Sequence, residues 1–305
     1  MQRGMSEHRL SVALAAATFA LLVIGGLVHP TGSSLACPDW PLCNGEVFPR
    51  MTGGVLFEHG HRLAALTVAV LTGTVAAVVL RRRRDRSLRR LVGAAVALVL
   101  LQASLGALTV IFKLPLLVST GHLATSMAFF TLTLVLASRL RPPAATYLPP
   151  VRRGVVLAAA LATYAQIVVG AFVRHTGSAL ACGADLVLCK GEVWPELGPA
   201  RVHMLHRALG IAVAALVLAA AVRVLRDAHG PRRLLALAAP ALVLLQLLLG
   251  LLTVATGVDL AIVSLHLAVG AALLADLVAL HLSLGPRGAA ASAERGARAL
   301  APAEG

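Results

Sequence analysis

Glu58-His59-Gly60-His61-Arg62 and His203-Met204-Leu205-His206-Arg207 open two long apolar runs with the same histidine-arginine pair in the same place. An imidazole inside an apolar helix is an ionisable group that hydrocarbon does not solvate, so by default it marks a functional site facing the bundle interior. His122 and His266 stand in two further apolar runs, and a shift of roughly 145 positions carries His61 onto His206 and His122 onto His266. Two imidazoles from facing helices are a standard way to hold a porphyrin iron from both sides. The repeated pair therefore reads as two iron-porphyrin sites, built once and copied. Zinc fits less well, because two histidines per bundle are fewer ligands than it takes. A single such histidine would be read as a hydrogen-bonded core residue; four at equivalent depth favour ligation.

The copies differ at one chemically informative place. Glu58 in the first half is replaced by His203 in the second, each three residues before a proposed ligand and so on the same helical face. One site carries a carboxylate beside its metal and the other does not. Such a group can move a proton or hold a reactive water; the plainer reading is a first-turn carboxylate favoured by the helix dipole. Arg62 and Arg207 follow the ligands and are candidates for pairing with porphyrin propionates, with snorkelling to the interface as the alternative. Gln102 and Gln246 are either structural glue or contacts to the porphyrin edge. His59 reads as interfacial, His29 and His175 as not repeat-equivalent, and Asp276 has no visible partner.

The elements that must position these residues follow from composition. Of 305 residues 58% are hydrophobic and 13% charged, which excludes a soluble domain. Eight apolar runs, at about 10–28, 57–80, 91–112, 117–137, 154–173, 202–224, 234–256 and 261–283, are each long enough to cross a hydrocarbon core. Because a spanning backbone must satisfy its own hydrogen bonds and these runs do not alternate, the expected fold is all-α integral membrane, with eight transmembrane helices as two pseudo-symmetric four-helix bundles. The first run reads as a retained helix, not a cleaved signal peptide, since Leu35-Ala36-Cys37 recurs as Leu180-Ala181-Cys182 where no signal peptidase acts. The formal charge of +14 is topological and not a nucleic-acid footprint, because most of the 27 basic residues fall in the segments that the positive-inside rule makes cytoplasmic, both termini included.

The domains expected are residues 1–140, a Pro-rich cytoplasmic linker at 141–153, residues 154–285, and a disordered tail at 286–305. Two long outer loops, after the first and fifth helices, read as functional covers over the histidine-bearing ends. Each holds two cysteines, and local, duplicated pairing in an oxidising compartment favours Cys37-Cys43 and Cys182-Cys189 disulfides over free or metal-binding thiols. Spacing does not separate a structural staple from a redox-active dithiol.

Together Glu58-x-x-His61-Arg62, His203-x-x-His206-Arg207, His122, His266 and the two cysteine loops, in this order over about residues 10 to 283, resemble the haem A synthase family. The resemblance implies a bacterial plasma-membrane enzyme acting in haem A biosynthesis for cytochrome oxidase. It implies haem b as cofactor on His206 and His266 of the second bundle, and haem O as substrate near His61 and His122 of the first. There the porphyrin C8 methyl is hydroxylated twice and the diol loses water to give a formyl group, with Glu58 as the catalytic residue. Implied partners are membrane lipid, a haem O synthase, a second copy of the chain and an electron donor that the sequence does not name. The competing readings are a di-haem b-type cytochrome for electron transfer and a haem carrier, neither of which gives a reason for Glu58 to differ from His203.

Overall fold

The computed structural model describes residues 2–141, 153–196 and 198–284; the expected linker, apart from its ends, and the whole of the expected tail lie outside them. Among the described residues the chain forms eight α-helices, α1 (Gln2–Val28), α2 (Gly53–Arg82), α3 (Arg86–Ile111), α4 (Leu116–Leu140), α5 (Gly154–His175), α6 (Gly198–Leu225), α7 (Pro231–Ala255) and α8 (Leu260–Ser283). All eight are long and apolar enough to cross a membrane, so this is a multi-pass membrane protein. Several helices outrun the apolar stretches that predict them. The apolar count sees only the part facing hydrocarbon, whereas the backbone ladder continues into the interface, where arginines at the α2 end reach water. The early starts of α2 and α6 place Glu58 and His203 inside helix.

Helix ends are closed by local chemistry. Asp85 accepts from the Ser87 N–H and Asp259 from the Ala261 and Ile262 N–H groups, the ordinary N-cap arrangement. After α3 and α7 the chain turns through left-handed residues, with Leu114 N–H donating to Thr109 O at 2.7 Å and Val258 N–H to Thr253 O at 2.8 Å. These tight caps make the two short connections at the same end of the bundle as the disulfide loops.

The first four helices contact one another in a ring, α1 with α2 and α4, and α3 with α2 and α4; the last four do the same, α5 with α6 and α8, and α7 with α6 and α8. The quartets meet through α1 and α4 on one side and α5 and α8 on the other. Small residues hold this contact close: a Cβ on Gly26 would lie 2.5 Å from Leu267 Cδ2. Tyr164 donates to Ala124 O at 3.0 Å and Arg174 to Gly26 O at 3.1 Å across the same contact. At the other end of the first quartet, Glu7 is buried and accepts from Arg83 at 2.5 Å, with Arg82 3.9 Å away.

The outer loops are compact folds and not long irregular connections. In each, a threonine and serine share a 2.8 Å hydrogen bond, Thr31 with Ser33 and Thr176 with Ser178. Cys37 is bonded to Cys43 and Cys182 to Cys189. Each second cysteine starts a reversal, Cys43 pairing with Glu46 and Cys189 with Glu192. The central residues, Asn44-Gly45 and Lys190-Gly191, have φ of 54° and 77° and of 54° and 85°. Two successive positive φ values are what a two-residue hairpin turn requires, and Asn-Gly is its best-suited dipeptide. Asp39 closes the first turn by accepting from Asn44 N–H at 2.6 Å and Gly45 N–H at 2.8 Å; Asp185 accepts from Lys190 N–H at 2.7 Å.

Two outcomes are expected. The Gly45 and Asn44 N–H groups hold the exposed Asp39 carboxyl below its ordinary range. A depressed carboxyl stabilises its fold above the unfolded value of about 3.9 and loses that contribution as pH falls through the lower folded value. Acid titration of the neighbouring Trp40 fluorescence, in a Trp194→Phe background, should show the loop transition below the ordinary aspartate range, and Asp39→Asn should abolish it. At the other end, Glu7→Ala should lower the thermal midpoint in detergent by a cost of about 1 kcal/mol, modest because both arginines keep access to water.

Candidate functional site

The four predicted ligands sit at matched depth, each about two turns into its helix: His61 in α2, His122 in α4, His206 in α6 and His266 in α8. All are half-buried although they lie within spanning helices. Within each quartet the two rings are close enough to interact electrostatically, His61 with His122 and His206 with His266. Each quartet thus carries its two rings on diagonally opposed helices at one level.

Each ring rests on a glycine of the preceding helix. A Cβ added to Gly25 would lie 2.8 Å from His61 Cε1, one on Gly106 3.6 Å from His122 Cε1, one on Gly170 3.0 Å from His206 Cε1, and one on Gly250 3.2 Å from His266 Cε1. Absence of a side chain lets the imidazole lie against the neighbouring backbone. The structure makes these four glycines seats for the rings.

Glutamines reach three of the four rings. Gln166 donates to His206 O at 2.8 Å and lies 3.1 Å from its Nδ1; Gln246 Nε2 is 3.3 Å from His266 Nε2. Gln102, with its amide turned to satisfy both ends, directs its nitrogen at His122 Nδ1 and O, at 3.1 and 3.2 Å. Gln102 and Gln246 are legible as buried polar residues; Gln166 is missed because its position in the first half carries leucine, so the repeat does not flag it. Its signal is the Gln-x-x-x-Gly spacing it shares with the other two.

Glu58 is 5% exposed and held from two sides. Its Oε2 accepts from Cys37 N–H at 2.8 Å and its Oε1 from Arg62 Nη2 at 2.7 Å. Arg62 also donates to the carbonyls of Cys37 at 3.1 Å, Asp39 at 2.8 Å and Leu42. Beside it the buried His59 ring meets Val47 O at 3.0 Å, so this residue is part of the loop anchor and not simply interfacial. In the second half His203 takes the place of Glu58: Arg207 donates to His203 Nε2 at 3.3 Å, Leu188 O at 3.2 Å and Asp185 O at 2.7 Å. Both arginines, for which the sequence leaves propionate pairing and snorkelling open, donate to loop carbonyls and clamp the loops to α2 and α6.

Two further residues meet unexpectedly. His29 and His175, unassigned from sequence, face each other across the quartets edge-on, ring centroids 5.8 Å apart. Burial and then the nearby Arg174 hold His29 below the ordinary imidazole range. Asp276 is buried in α8, and its Oδ2 has no hydrogen-bond partner.

Comparison with known proteins bears on this arrangement. The model of the COX15-CtaA family, described as cytochrome oxidase assembly protein, matches residues 8–53 and 53–278. The chain is 32% identical over 235 residues to the Heme A synthase of Bacillus licheniformis, covering 74% of this chain and 78% of the relative. It is 32% identical over 258 residues to that of Halalkalibacterium halodurans, covering 81% and 86%, and 34% identical over 208 residues to that of Bacillus pumilus, covering 64% and 68%. With the match running through all eight helices, the chain belongs to the COX15-CtaA family of cytochrome oxidase assembly proteins.

Proposed function

We propose that the protein is a haem A synthase, converting haem O to haem A in the plasma membrane of a bacterium. The single observation that carries this reading is the asymmetry of two otherwise matched imidazole pairs: Glu58 stands one helical turn from His61, and His203 takes its place beside His206. An electron-carrying cytochrome or a haem carrier gives that difference no task.

The residues fit an iron porphyrin. Each quartet offers two imidazoles at one level, half-buried within the bundle and seated on glycines. Nδ1 of His61 and of His266 are buried without partners, as polar atoms awaiting a bound group are. In this reading the N-terminal quartet, 1–140, takes haem O between His61 and His122, and the C-terminal quartet, 154–285, holds haem b between His206 and His266. Haem b, when bound, supplies one-electron transfer.

The reaction at the substrate is two successive hydroxylations of the C8 methyl, each taking an oxygen atom from water and passing two electrons and two protons to a redox partner, followed by loss of water from the geminal diol. That last step changes no oxidation state. The chain's own contribution is positional and acid–base. His61 and His122 orient the porphyrin, and the Arg62-bound loop closes the outer end of α2 against bulk water. Glu58 is held as an acceptor by Cys37 N–H and Arg62, which places a carboxylate able to take a proton at the edge of the substrate site. Both termini lie on the cytoplasmic side and the sites near the outer face, supported by the arginine-rich ends opposite the disulfide loops. A haem O synthase, a second copy of the chain and a redox partner that takes up the electrons complete the proposed set of partners.

Expression beside a haem O synthase, followed by haem extraction and chromatography, tests the reading. Haem A is expected; haem O and haem b alone would sink it. Glu58→Ala and His61→Ala should lower haem A by about two orders of magnitude or more while leaving haem b bound. His206→Ala should remove haem b. Gly170→Leu, which crowds the His206 ring, should do the same without touching a ligand.

A further inference from the structure

We propose that Gln166 and Gln246, with Gln102, are positioning residues that hold the ligand imidazoles, and that Leu21 in the fourth equivalent place leaves His61 as the one ligand free to let go. This rests on the haem reading above and adds to it a physical reason why one site retains its porphyrin and the other exchanges it.

The pattern is written in the odd-numbered helices. Gln102 and Gly106, Gln166 and Gly170, and Gln246 and Gly250 share one spacing, which sets a glutamine one turn from the glycine that seats the ring. In α1 the corresponding residues are Leu21 and Gly25. The histidine-bearing helices change in step, four residues after each ligand. A Cβ on Gly210 or on Gly270 would lie 3.2 Å from the Nε2 of Gln166 or Gln246, so these glycines make room for the amides. Ser126, after His122, hydrogen-bonds Gln102 at 2.6 Å. After His61 the residue is Ala65, and Leu21 packs with the apolar cluster that includes Leu14 and Val68. The fourth site has lost the amide and the space for it together.

The chemistry follows from what a metal-bound imidazole needs. One ring nitrogen must be bare for the metal, so the other carries the proton and requires an acceptor to fix the ring. In this structure the amide nitrogens of Gln166 and Gln246 face the rings while their Oε1 atoms are buried without partners, so a half-turn of either amide presents the acceptor that a metal-bound ring requires. Nδ1 of His61 and of His266 are both buried without partners, and of these two rings only His266 has an amide beside it. The second quartet therefore anchors both imidazoles, as a resident cofactor demands. The first anchors His122 and leaves His61 unrestrained, as a site whose porphyrin must enter and depart demands.

The test uses the full chain purified with its haems, reading haem content, release rate and the optical and EPR signature of iron coordination. Gln166→Leu and Gln246→Leu should weaken haem b retention about 10- to 100-fold and shift six-coordinate low-spin signal to five-coordinate high-spin. Gln166→Glu, which keeps an acceptor, should restore the low-spin signal. Leu21→Gln with Ala65→Gly should slow release of the N-terminal porphyrin about tenfold and leave haem b unchanged. Unaltered coordination spectra in both leucine variants, or an unaltered release rate in the double variant, overturns the inference. His206→Ala separates the two levels: haem b retained in that variant defeats the functional reading itself, whereas haem b lost there but unaffected by the glutamine changes defeats only the anchoring.

Discussion

The contact on which the arrangement depends is an imidazole lying against a bare stretch of neighbouring backbone. In hydrocarbon no hydrophobic force draws helices together, so close approach relies on small residues and dispersion. Gly25, Gly106, Gly170 and Gly250 provide that approach at the level of the four histidines, each on the helix preceding its ring. The seat fixes how far a ring projects into the quartet. A side chain at Gly25, Gly170 or Gly250 would crowd its ring off the backbone, whereas a Cβ at Gly106 would be in ordinary contact.

Around this level the two quartets share a frame and differ in their chemistry. Each outer loop is tied by a disulfide, turned through two left-handed residues and clamped by an arginine one residue after the ligand. In the first quartet the clamp includes a buried carboxylate, so Cys37, Glu58, Arg62 and the loop carbonyls form one network. In the second, a neutral imidazole can fill the same place because Arg207 needs only a lone pair there. A buried charge is tolerable only when paired and hydrogen-bonded, and Glu58 has both kinds of partner. The structural clamp and the proposed reactive group are thus the same side chain, and loop closure and carboxylate position are coupled.

The glutamines divide the quartets in the complementary sense. Both imidazoles of the second have an amide beside them, whereas in the first only His122 does. The two quartets differ at a few positions around the same four histidines. Glu58 and Leu21 fall in the first copy, Gly210 and Gly270 in the second. Divergence there changes how a bound group is held and what stands beside it without altering which atoms bind.

Much of this was legible in the chain itself. Eight spans, the duplicated histidines, the duplicated cysteines and the Glu58 to His203 exchange are properties of residue type and order, and hydrocarbon permits few folds for such a chain. Helix ends were less legible, since apolarity stops at the interface while the hydrogen-bonded ladder does not. The partners of Arg62 and Arg207 were not legible at all, because a backbone carbonyl accepts a hydrogen bond equally well from any residue and leaves no trace in the sequence. Nor were the glycine seats distinguishable from other small residues at helix contacts. Sequence alone determined which side chains cross the membrane and at what depth, because burial in hydrocarbon selects by composition. Only the tertiary structure decided which ring meets which glycine and which amide, because those meetings depend on how each helix is rotated against its neighbour.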